Sequence, residues 1–345
     1  MSEARLAALA NRSTKIKNRH DLAERLAAMG AEITYDIRAA RMVRDGKPMT
    51  DMDVDLLVDD SCDGHGPSLP TFRSDTGKRV WNAYLSQNSF DPLKEYLEAC
   101  HAEHNPDELG DPAKLPFELW PDRLQEVDRP LIEWCWGAMF DAVVLRAYNP
   151  PARWDIVPII KGEQGCGKST AVTNLLPEQW TNGGMPLKGV KNFDAARQTM
   201  EFTEGKAILE SSEMVGLTAA NREVVKAFVS RHTDRATRKY AIQAEDVPRR
   251  WVIVGTTNDP MPVPYDPSGG RRFIATVIKD TYPDDGRRVH EWLERYRSRY
   301  WACAFERYKQ GLVTEGSLGV PDDLADLHAT HVQSHMWTPP SREML

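Results

Sequence analysis

Between residues 162 and 170 the chain reads Gly162-Glu163-Gln164-Gly165-Cys166-Gly167-Lys168-Ser169-Thr170. The first eight satisfy the Walker A pattern in full, and each part has a physical reason. Glycines let the backbone curl so that successive N–H groups point inward, toward phosphate oxygens. A helix beginning near Lys168 would turn its positive end on the same anion. Lys168 is suited to neutralise the β- and γ-phosphates, and Ser169 to give a hydroxyl ligand to Mg²⁺. The chemistry expected is the binding and cleavage of ATP with Mg²⁺, with Gly162 through Thr170 as the binding segment. Cys166 reads as a small space-filler rather than a redox switch.

A phosphate loop needs a carboxylate at the end of a neighbouring strand. Ala207-Ile208-Leu209-Glu210, followed by Glu213, is the candidate. Glu210 is assigned to the metal shell; which of Glu210 and Glu213 activates water stays open. Asn258 follows the buried-strand run Trp251–Val254, at the edge where ligands of open α/β sheets collect. It is expected to bind the attacking water or the γ-phosphate. Arg271 and Arg272 follow Ser268-Gly269-Gly270. One of them is expected to stabilise the transferring phosphoryl group of a neighbouring subunit, with Arg272 the first choice. Residues 222–250 carry eight Lys/Arg against four Asp/Glu. Within them Arg235, Arg238, Lys239 and Tyr240 suit contact with a nucleic-acid backbone and a stacked base.

These side chains need a scaffold. Short apolar runs at 156–160, 207–209, 251–254 and 273–278 alternate with helical patterns, which predicts an α/β layer fold with a mainly parallel sheet. Before it, Asp91-Pro92 and Asp128-Arg129-Pro130 open helices by the rule of an oxygen-bearing cap and proline in the first turn. The segment Glu32–Val43 is read as a hairpin. Another is read with Thr237–Ile242 as one arm and Ala244-Glu245-Asp246 near its turn. After Asp280 the chain is helical again, anchored by Trp292, Tyr296, Trp301, Phe305 and Tyr308. The expected division is 1–75 of unassigned role, 76–150 a helical collar-like region, 151–280 the ATPase core, and 281–345 a C-terminal helical region.

The net charge of −7 identifies no partner by itself. Five scattered cysteines argue against a disulfide framework, and with no secretory or spanning segment visible a cytoplasmic location is the default. Cys100, His101 and His104 lack a second ligand pair for zinc. His328, His331 and His335 share one helical face, read as a polar face rather than a metal site.

Taken in order, GEQGCGKST, ILESSEM, VVKAFVSRHTDRATRKY, WVIVGTTN and DPSGGRRF resemble the virulence-associated E family. These are phage- and plasmid-type AAA+ ATPases related to superfamily 3 helicases. The likeness is firm over residues 150–280 and weaker back to 80 and forward to 330. It implies an AAA+ core flanked by helical N- and C-terminal regions, and a hexameric, ATP-driven DNA helicase of mobile-element replication. A separate primase is an expected partner, since relatives often carry a primase domain and none is evident here. By matching motifs, Lys168 and Ser169 take the Walker A roles, Glu210 the Walker B role, Asn258 the sensor role, and Arg271 or Arg272 the finger role. Arg238 and Lys239 fall where superfamily 3 proteins carry a DNA-contacting hairpin. A nucleotide-switched replication initiator or defence component shares every motif. A small-molecule kinase would not need the basic insert or the paired arginines.

Overall fold

The computed structural model describes residues 15–62, 66–182, 202–212, 225–236, 244–261, 263 and 270–336. The chain forms two compact units, Met1–Pro92 with Arg235–Glu245, and Leu93–Asp234 with Asp246–Leu345.

In the first unit α1 (Arg19–Ala28) starts at Asn18, whose side chain accepts from the amides of His20 and Asp21. The expected hairpin is present. Strands β1 (Ile33–Asp36) and β2 (Arg41–Arg44) pair antiparallel, and β3 (Lys47–Pro48) and β4 (Ser89–Phe90) complete a sheet of order β3-β2-β1-β4. Helices α2 (Asp51–Asp60) and α3 (Asp75–Leu85) contribute Val54, Leu57, Val80 and Trp81 to one core with Leu22, Leu26, Ile33 and Met42. Arg38 and Asp91 form a bidentate pair at 2.8 and 2.9 Å with side chains 1% and 0% exposed, so neither charge is left unpaired.

The second unit opens with α4 (Pro92–Glu103), which begins at the proline that the sequence marks. After α5 (Leu115–Leu119) comes α6 (Arg129–Tyr148), buried over most of its circumference. Five strands follow: β5 (Val157–Lys161), β6 (Thr181–Asn182), β7 (Ile208–Ser212), β10 (Val252–Thr257) and β11 (Phe273–Val277). They form one sheet of order β11-β5-β10-β7-β6 in which every pairing is parallel. Strand side chains alternate between two cores. Ile160, Ile208, Val252, Val254 and Ile274 pack with α6, α7 (Lys168–Asn174) and α8 (Asp285–Lys309). Val157, Ile159, Leu209, Ile253 and Phe273 pack on the other side with Phe228 and with Val332 of α9 (Ala325–His335). Burial on both faces explains why these strands read as unbroken apolar runs rather than alternating ones. The expected aromatic anchors lie along α8, where the Trp301 indole N–H donates to the Leu175 carbonyl at 2.6 Å and ties α8 to the end of α7.

One expectation about the basic segment needs correction. Strands β8 (Thr233–Ala236) and β9 (Glu245–Pro248) pair with each other. Glu245 and Asp246 therefore belong to a strand, not to a turn, while the expected arm Thr237–Ile242 lies outside the described residues. Val247, 9% exposed, is what that strand buries, and a buried apolar residue outweighs the turn tendency of the acids before it.

Candidate active site

Strand β5 lies between β11 and the central strand β10, and its carboxyl end runs straight into the phosphate loop. The Gly162 amide donates to Thr257 O at 3.2 Å and the Ile278 amide to Lys161 O at 2.8 Å, so the loop departs from between β10 and β11. Gly165 and Gly167 have φ of 94° and 84°, a region costly for any residue with a Cβ. Gly167 is the residue before the first turn of α7, so the loop lies against that helix's positive end. Lys168 Nζ donates to Gly162 O at 2.8 Å and Glu163 O at 2.7 Å, folding its charge across the loop's own carbonyls. Ser169 is exposed on the first turn of α7. Cys166 is fully buried, and burial pushes its thiol up despite the nearby Lys168 ammonium. A neutral thiol there fits the space-filling role.

Glu210 sits in the middle of β7, 4% exposed, and its Oε1 accepts from Thr256 Oγ1 at 2.6 Å. In register it stands opposite Val254, while Ser212 stands opposite Thr256, the residue level with Ile160 of β5. Glu210 is thus held inside the sheet's upper edge by a hydroxyl on the next strand. Glu213 lies outside the described residues. Asn258 is exposed immediately past the end of β10, on the same edge as the loop.

Arg271 and Arg272 are on the opposite edge. β11 pairs with β5 so that Phe273 faces Val157 and Val277 faces Lys161. Arg272 is therefore level with Ile156, five residues below Lys161, or roughly 17 Å at about 3.3 Å per residue. Its Nε donates to Ser230 Oγ at 3.0 Å and lies 3.5 Å from Asp155. Arg271 is exposed. Neither is brought to the chain's own phosphate loop.

Of the residues expected to touch nucleic acid, Arg235 is exposed on β8; Arg238, Lys239 and Tyr240 lie outside the described residues. The neighbouring Arg249 is structural. It is 2% exposed, bidentate to Asp234 at 2.6 and 2.8 Å, and stacked over Phe228 and Trp251.

A bracing layer around the loop was not read from the sequence. Trp120, fully buried, donates its indole N–H to Cys166 O at 2.8 Å. Arg123 is bidentate to Asp285 at 2.6 and 3.0 Å and also reaches Asp280 O. Burial works to raise the Asp285 pKa, but the bonds from Arg123 and the Tyr282 amide outweigh it and hold the carboxyl below its ordinary value. Asp-Gly at the opening of α8 was the available signal, since an acid at a helix start is a usual feature. Its partner at position 123 carries no local mark.

The histidine trio is buried rather than a solvated face: His328, His331 and His335 are 8%, 1% and 8% exposed. Asp128 joins His331 and His335, with ligand atoms within 4.8 Å of one another. The Ala275 amide donates to His331 Nε2 at 3.0 Å, which takes that nitrogen's lone pair and leaves the proton on Nδ1, 3.1 Å from Asp128. A metal-bound histidine donates from its second nitrogen, whereas this one accepts there, and among the described residues no hydrogen bond joins its Nδ1 to Asp128. His101 and His104 bond Glu306 and Ser298, and all five cysteines are free thiols.

The model of the virulence-associated protein E-like domain matches residues 118–335. The chain belongs to that family. Its expected P-loop NTPase core is present, with a sheet that is wholly rather than mainly parallel. Among solved structures, the A form apo structure of the NrS-1 C-terminal region is similar with a TM-score of 0.53 and 14% identity, over 91% of this chain and 74% of that one. A second, of NrS-1 residues 305–718, gives a TM-score of 0.47 and 14% identity over 94% and 76%. No curated protein matches. Among the described residues of this virulence-associated protein E-like chain, no helix is long and apolar enough to cross a membrane.

Proposed function

We propose that this chain is an ATP-driven DNA motor of phage or mobile-element replication, working as a ring with its active sites between subunits. One observation carries the reading: phosphate loop and arginine pair stand at opposite edges of one sheet, roughly 17 Å apart along the strands. A finger arginine so far from its own loop serves a neighbour's nucleotide, and repetition of that contact closes a ring.

Within one site, the Lys168 ammonium exchanges the carbonyls of Gly162 and Glu163 for phosphate oxygens. The loop's amides and the start of α7 hold the anion. A serine hydroxyl and a carboxylate are hard oxygen donors suited to Mg²⁺, so Ser169 and Glu210 are the residues that would hold it. Bound there, the ion would supply charge neutralisation at the phosphates. Thr256 keeps Glu210 oriented. Asn258, exposed at the mouth, positions the attacking water, and Arg272 or Arg271 of the adjoining subunit meets the charge that spreads over the departing phosphoryl group. The segment 235–240 is assigned to the DNA backbone, and a separate primase is a suitable partner.

The test is strand separation on a forked duplex, with phosphate release measured with and without single-stranded DNA. DNA-stimulated hydrolysis coupled to unwinding supports the motor. Nucleotide-dependent DNA binding without unwinding would replace it with a switched initiator.

A further inference from the structure

We propose that Thr281 and Tyr282 form a nucleobase platform beside the phosphate loop, with Tyr282 stacking on the base of the bound nucleoside triphosphate. The proposal rests on the phosphate-loop reading above and extends it to the other end of the ligand.

The segment leaving β11 runs along the loop. Ile278 is bonded to Lys161, Lys279 donates to the Arg123 carbonyl at 3.0 Å, and the Thr281 methyl would lie 3.8 Å from a Cβ built on Gly165. Thr281 is thus the immediate neighbour of the glycine at the tip of the phosphate cradle. Its hydroxyl is buried and has no hydrogen-bond partner among the described residues. Leaving such a group unmet is costly, and a ligand offering a ribose or base polar atom would relieve it.

Tyr282 is next. Among the described residues it is one of the few large hydrophobic side chains of this unit that are exposed, at 55%. One face of its ring is covered by the Arg123 guanidinium, centred 4.6 Å from the ring. That guanidinium cannot drift, because it is locked to Asp285 and 3% exposed. The Tyr282 backbone is fixed as well, its amide donating to Asp285 Oδ2 at 2.9 Å. An aromatic ring held from behind, with open area remaining, is what a planar heterocycle stacks on with little ordering cost. Stacking on a ring face does not depend on which base is present, so the ligand class is a nucleoside triphosphate of any base.

The test compares a non-hydrolysable ATP analogue with inorganic tripolyphosphate, both with Mg²⁺, by calorimetric titration of the full chain. Tyr282→Ala is expected to weaken the analogue about tenfold, or about 1.4 kcal/mol, and to leave tripolyphosphate unchanged. Tyr282→Phe is expected to rescue the affinity, since it keeps the ring. The platform is overturned if Tyr282→Ala binds the analogue within twofold of wild type, or weakens both ligands alike. Wild type that binds tripolyphosphate as tightly as the analogue overturns the platform alone. Wild type that binds neither removes the phosphate-loop reading and the platform with it.

Discussion

Replacing Arg123 with Met tests the bracing layer directly. The guanidinium makes two bonds to Asp285, at 2.6 and 3.0 Å, and a third to Asp280 O at 3.2 Å, with both charged side chains 3% exposed or less. Removing one partner of a buried pair strands the other charge, at about 3–5 kcal/mol. Asp285 keeps the Tyr282 amide and an Arg288 contact at 3.4 Å, which favours the low end, about 3 kcal/mol. Pairing the change with Asp285→Asn removes the stranded charge. The double variant is therefore expected to fall short of the summed single losses by about 1–2 kcal/mol. Urea unfolding followed by tryptophan fluorescence at neutral pH measures all three variants. The pH dependence has a fixed sign. The folded carboxyl is held below its ordinary value, so its contribution is complete above the unfolded pKa and is lost as pH falls through the folded one. The gap between wild type and Arg123→Met should narrow in acid. A single-variant loss under about 1 kcal/mol, strict additivity, or a gap that widens in acid would refute the account.

Lys168→Ala is expected to abolish ATP turnover, read as phosphate release; turnover near the wild-type rate would remove the cradle from the mechanism. Arg272→Ala should retain nucleotide binding while losing hydrolysis by on the order of a thousandfold, with partial recovery in mixed oligomers. Full hydrolysis by the variant alone would cancel the finger assignment. Burial tends to raise the Asp128 pKa, but the neighbouring His331 and His335 side chains outweigh it and carry it well below the ordinary range. Asp128→Asn should thus cost about 1–3 kcal/mol at neutral pH and progressively less in acid, checked by urea titrations across pH. Chelator treatment should leave the thermal midpoint unchanged, whereas a fall reversed by zinc would restore the metal reading of that cluster.

What the sequence revealed was local. The phosphate loop, the helix openings at Pro92 and Arg129, the hairpin after Glu32 and the strand just before Asn258 are each written in adjacent residues, because turn chemistry and strand burial act over a few positions. What it concealed was contact at long range. Trp120 meets Cys166 across 46 positions and Arg123 meets Asp285 across 162, and no spacing rule links them. The histidines of α9 show the same limit from another side. Helical spacing put them on one face correctly, but only the tertiary fold decides whether that face meets water or Asp128. In the hairpin, turn-forming acids at 245 and 246 misled because Val247 needed a core.

The separation of loop and arginines across one rigid sheet has a kinetic corollary. If the arginines complete a neighbour's site as proposed, a lone protomer would hold ATP it cannot hydrolyse efficiently, so specific activity should climb with enzyme concentration and collapse on dilution. Hydrolysis would become a readout of company, confined to assembled machines and silent in newly made, unpartnered chains.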